Sequence, residues 1–123
     1  LFRSEDIVGR EAIEGTVMGQ ALDLGNARTK QFDERMRKEY GSEYRWPVLA
    51  ALGYDAAQIV FKAVEKVGKS DPKAIRDALE SLDGVQAISA TPARPFSATD
   101  HECLDRQDVF LGIWKNGEVV RLN

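Results

Sequence analysis

This 123-residue chain holds a single cysteine and a single histidine. A lone Cys103 forms no intrachain disulfide and no CxxC pair, so it is expected to be a small, partly buried apolar residue. Glycine-rich phosphate loops of the GxGxxG or GxxxxGK kind are missing, which removes the usual nucleotide cradles. Neither sign of charge dominates: 17 basic residues stand against 20 acidic ones, a net of -3. No nucleic-acid or anionic-membrane partner is therefore expected. No apolar run approaches the roughly 20 residues a bilayer demands, and no secretory signal opens the sequence. The chain begins at Leu1 without methionine, so a targeting signal is expected upstream.

What remains is ordinary globular material, 43% hydrophobic and 30% charged, enough for one domain with a modest core. Residues 14–22 (EGTVMGQAL) are rich in strand formers between glycines and predict a strand. Asn26 is placed to cap a helix over 27–40, whose apolar stripe is Phe32, Met36 and Tyr40 and whose end is Gly41. Pro47 suits the first turn of a longer helix ending at Gly68. Its apolar set is Leu49, Leu52, Ala56, Ile59, Val60, Ala63, Val64 and Val67, which reads as the most buried face of the molecule, with Val60 a core position. Asp71-Pro72 starts a third helix, carrying Ile75, Ala78, Leu79 and Leu82 on one face, with Gly84 just past its end. Residues 85–106 read as a loop interrupted by a short strand near Phe96. Asn116-Gly117 between two β-rich runs is the strongest turn signal and predicts a terminal hairpin.

Few groups invite a chemical reading. His101 and Cys103 lie two apart, so on an extended segment their side chains run parallel rather than meeting as nucleophile and base, and His101 is expected to be a solvated loop residue. Asp100, His101, Glu102 and Asp105 match neither zinc nor calcium spacing. No metal, no cofactor and no enzymatic activity is expected.

Five pieces, EGTVMGQAL, KQFDERMRKEYG, WPVLAALGYDAAQIVFKAVEKVG, SDPKAIRDALESLDG and VFLGIWKNGEVV, come in an order and at distances that resemble the last third of periplasmic binding proteins of the leucine/isoleucine/valine type. The Tyr54-Asp55 pair is the most specific of these features. The resemblance implies an α/β chain, the C-terminal part of a two-lobe type I periplasmic-binding-protein fold. Residues 1–24 and 106–123 would then belong to the C-terminal lobe and 25–105 to the N-terminal lobe. It also implies a small-molecule ligand, an amino acid or related carboxylate held between the lobes, an extracytoplasmic location, and the permease subunits of an ABC importer as partner.

The family's polar ligand contacts lie mostly upstream, so the contribution expected here is the start of the long helix: Trp46, Leu49, Ala50 and Ala51. Leu49 stands where the family commonly has an aromatic, which leaves room for a larger or more apolar ligand; the alternative is that Leu49 packs in the lobe core. A sensory domain of a receptor or regulator with the same fold is the alternative function, and the end of the chain right after the hairpin favours the free-standing receptor. Taken alone, the 123 residues are expected to lack sheet neighbours and to self-associate.

Overall fold

The structure, a computed structural model, describes residues 4–89 and 95–122. Two short helices, α1 (Ser4–Val8) and α2 (Arg10–Ile13), open it, with Gly9 between them at φ 85. Neither is long enough to leave a periodic signal in the sequence. Strand β1 (Val17–Gln20) is shorter than the nine residues expected, although Gly15 N donates to Trp114 O and Trp114 N to Thr16 O, carrying the ladder two residues further back.

Helix α3 (Ala27–Tyr40) has the expected limits: the Asn26 side chain accepts from Arg28 N, and the N–H of Gly41, at φ 53, bonds Arg37 O. Phe32 is buried and Met36 half-buried, but Tyr40 is 53% exposed, so the inward stripe stops a turn early. The short 3₁₀ turn Gly41–Glu43 leads to Tyr44, whose ring is buried beneath the Arg37 guanidinium, 5.6 Å from its centroid. Burial first, then the charge of Asp33, push the Tyr44 phenol up to about 12.

Helix α4 (Pro47–Val67) starts on Pro47 and stops at left-handed Gly68, both as expected. Its buried column differs from the expected one. Ala51, Asp55, Ile59 and Ala63, each four apart, face inward, whereas Val60, expected in the core, is 46% exposed and Leu49 48%. Periodicity marks which columns of a helix are apolar; the neighbours decide which is covered. Here α5 (Pro72–Leu79) covers the Ile59–Ala63 side, and nothing among the described residues covers Val60, Phe61 and Val64. At 21 residues and mean hydropathy 1.2, α4 is also long and apolar enough to cross a membrane, contrary to the expectation of no such segment. Asp55 within it is nevertheless buried, and its Ile59–Ala63 side packs on α5, as in the core helix of a folded domain.

The Asp71 side chain accepts from Ala74 N and caps α5. That helix ends at Leu79, four residues before the limit expected from Gly84. A tight continuation, Ser81 N to Ala78 O and Leu82 N to Leu79 O, still delivers Leu82 to the core. Ile59, Ala63, Ala78, Leu82 and Val85 form one core cluster, with Phe96 and Cys103 against its edge; Leu22, Phe32 and Ala51 form a second. No strand forms at Phe96. The backbone there turns instead, Ser97 N donating to Asp100 O while Ser97 Oγ accepts from Thr99 N and Asp100 N. Pro92, in the same stretch, lies outside the described residues.

After the 3₁₀ turn Arg106–Asp108, strands β2 (Phe110–Lys115) and β3 (Glu118–Arg121) form the expected hairpin. Asn116 (φ 53) and Gly117 (φ 90) supply the two positive φ angles that a type I′ turn requires. The sheet is antiparallel with order β1-β2-β3, and its register puts Val17 opposite Ile113 and Ile113 opposite Val120. Gly112 lets the strands approach: a Cβ there would stand 2.5 Å from Val119 Cγ1. The face carrying Val17, Leu111 and Val120 is apolar and about half exposed.

Candidate functional site

The start of α4 is built from the chain's own punctuation. Pro47 locks the first helical φ, and Trp46 precedes it with no side-chain oxygen to cap the helix, while Ala50 N bonds Trp46 O at 3.0 Å. Trp46 and Leu49 project at 47% and 48% exposure, an aromatic and an aliphatic side chain on one end of a helix. Ala50 is half-buried. Ala51 has no exposed surface; it sits in the cluster with Leu22 and Phe32, behind the turn that the other three residues present. Leu49 is outside both buried clusters of this chain.

The turn is anchored from below by a polar arrangement that periodicity did not reveal. The Asp55 carboxylate, 4% exposed, accepts from Ile88 N at 2.6 Å, Ser89 N at 2.8 Å and Ser89 Oγ at 2.5 Å. Three charge-assisted bonds offset the burial of its charge. Thr29 Oγ1, also buried, donates to Ile88 O, and Arg28 Nη1 donates to Ala87 O, both at 3.2 Å. The one sequence signal was an aspartate spaced four residues from Ala51 and four from Ile59, on an otherwise apolar column of the helix.

A groove of about 620 Å³ runs along α3, with Arg28, Arg35, Phe32, Met36, Tyr54 and Ile88 among its walls. Tyr54 tilts against Phe32 there, their ring centroids 5.3 Å apart. Trp46 and Leu49 are not among its lining residues, so this groove and the expected ligand wall are separate features.

His101 and Cys103 do not meet as a catalytic pair. His101 Nε2 lies 3.3 Å from Glu80 Oε1, and Cys103 packs against the Ile59 cluster. Burial, then the charges of Asp55 and Asp108, push the Cys103 thiol up, the reverse of nucleophile activation. Among the described residues no three His, Cys, Asp or Glu side chains converge to hold a metal ion.

The model of one family, described as periplasmic binding protein, matches residues 6–118. No curated protein matches the chain. Among solved structures, a leucine-binding protein, LivK, from Thermotoga maritima is 26% identical, with TM-score 0.68 over 94% of this chain and 32% of its own. A putative branched-chain amino acid ABC transporter protein from Rhodospirillum rubrum is 25% identical, with TM-score 0.69 over 99% and 34%. A type 1 periplasmic binding protein from Bordetella pertussis, 23% identical with TM-score 0.72 over 93% and 34%, shares the fold. The chain spans about a third of the length of these structures. With 113 of its 123 residues inside the family match and its helices and hairpin laid out as in these structures, the chain belongs to the periplasmic binding protein family and carries part of the type I fold.

Proposed function

We propose that the chain is the C-terminal part of the solute-binding component of an ABC importer, taking a small amino acid or related carboxylate, and that it carries out no chemistry. In this reading residues 1–24 and 106–123 belong to one lobe and 25–105 to the other, and the ligand lies between them, where binding sites of two-lobed proteins commonly form. The permease subunits are its membrane partners, and it works outside the cytoplasm. The observation that carries the reading is the start of α4, where Trp46 and Leu49 stand half-exposed on a turn anchored through Ala51 and Asp55. An apolar wall held by a buried polar anchor suits a ligand side chain; the charged ends of the ligand are left to groups elsewhere in the cleft.

The test uses the complete two-lobed protein and a size series of amino acids followed by calorimetry. Leu49→Trp enlarges the side chain on that wall, so leucine and phenylalanine are expected to lose roughly tenfold more affinity than alanine, the scale for about one overpacked methylene or two. Equal losses across the series remove Leu49 from the site.

A further inference from the structure

The described residues contain two buried polar side chains, Thr29 and Asp55, and both serve the same short stretch of backbone. Residues 86–89 belong to no helix or strand. Four of their backbone groups are nevertheless held by side chains: Ala87 O by Arg28, Ile88 O by Thr29, and Ile88 N and Ser89 N by Asp55. The Asp55 carboxylate takes the place that the carbonyls of a neighbouring strand would fill, and the Thr29 hydroxyl takes that of an N–H. The clamp spans long sequence distances, 33 and 34 residues from Asp55 and 59 from Thr29, and so ties α3, α4 and the segment after α5 together.

The tie has a direction. The Ile88 side chain packs on the cluster of Leu22, Phe32 and Ala51, as do Val48 and Ala50. These last three are the underside of the turn whose outer side is Trp46 and Leu49. We propose that Asp55 is a positioning residue for the ligand wall: by holding Ile88 and Ser89 it fixes the apolar bed on which the first turns of α4 rest. This role rests on the reading that those turns border the cleft. Side-chain clamps of this kind set geometry because a carboxylate accepting consecutive N–H groups tolerates little displacement before a bond is lost.

The test is hydrogen exchange on the whole 123-residue chain, read by mass spectrometry over residues 86–89 and 50–53. Asp55→Asn replaces one accepting oxygen by an NH₂ group facing N–H donors. Exchange at 86–89 is expected to rise roughly ten- to a hundredfold, the span for losing a hydrogen bond to a charged group, with a rise carried to 50–53. Leu82→Ala, in the other cluster, is the control: compared at equal distance from its unfolding midpoint, it should leave 50–53 at the wild-type rate. Should Asp55→Asn fail to fold, Ser89→Ala and Thr29→Val each remove one bond of the clamp and are expected to give the same pattern, weaker. Loosening of 86–89 with 50–53 unchanged overturns the proposal, as does an equal opening of 50–53 in Leu82→Ala. No ligand enters this experiment, so its failure is distinct from failure of the solute-binding reading, which the Leu49→Trp series tests.

Discussion

Ile59→Asp is expected to abolish cooperative folding, while Val60→Asp, one residue along, leaves the unfolding midpoint of the chain nearly unchanged. Ile59 is 4% exposed and lies among Ala63, Ala78, Leu82 and Val85, all apolar. A carboxylate there has no donor within its cluster, so it either stays charged and unpaired or takes up a proton, and the packing of the isoleucine is lost as well. The two losses together amount to at least ~4 kcal/mol, against a total stability of about 5–15 kcal/mol for an ordinary domain. Val60 is 46% exposed on the far side of the helix, where a charged side chain reaches water and costs about 0.5 kcal/mol. Thermal unfolding followed by circular dichroism separates the two. A cooperative transition in Ile59→Asp near the wild-type midpoint contradicts the assignment of the buried column.

The second large effect is on association. A compact monomer of 13.7 kDa exposes about 6600 Å² by the scaling of folded monomers with mass, whereas this chain exposes 8778 Å². The excess of roughly 2200 Å² is comparable to what obligate interfaces bury. Much of it is apolar and lies on two faces: Val60, Phe61 and Val64 on α4, and Val17, Leu111, Val120 and Leu122 on the sheet. Patches of that kind bury themselves against whatever is available. Taken alone, the chain is therefore expected to self-associate at micromolar concentration, read by light scattering, and Val60→Asp should shift it toward monomer. A monomer across that range, unaffected by Val60→Asp, contradicts the expectation.

The features legible in the sequence are those whose causes are local. Asn26 and Gly41 delimit α3, Pro47 and Gly68 delimit α4, and Asn116-Gly117 turns the hairpin, because capping, ring closure and positive φ act within a few residues. What escaped depends on partners far along the chain. The stripe Leu49, Val60 and Val64 is as apolar as Ala51, Ile59 and Ala63, and only the position of α5 decides between them. The role of Asp55 is set by two N–H groups more than thirty residues away, in a segment with no secondary structure to announce it. Tyr54-Asp55 stood out only through resemblance, without a physical reason for the aspartate. The turn Trp46 to Ala51 was legible as a candidate, but its division into an outward Trp46 and Leu49 and a buried Ala51 required the fold.

The central claim is that this chain supplies one wall of a site closed by two lobes. Calorimetric titration of the 123-residue chain alone with L-leucine, L-valine and an aromatic carboxylic acid tests it most directly. The account predicts no saturable binding at micromolar concentration, since the groups that fix the charged ends of the ligand belong to the other wall. One-to-one micromolar binding of any of these solutes by a stable monomer would contradict it, placing a complete site within these residues.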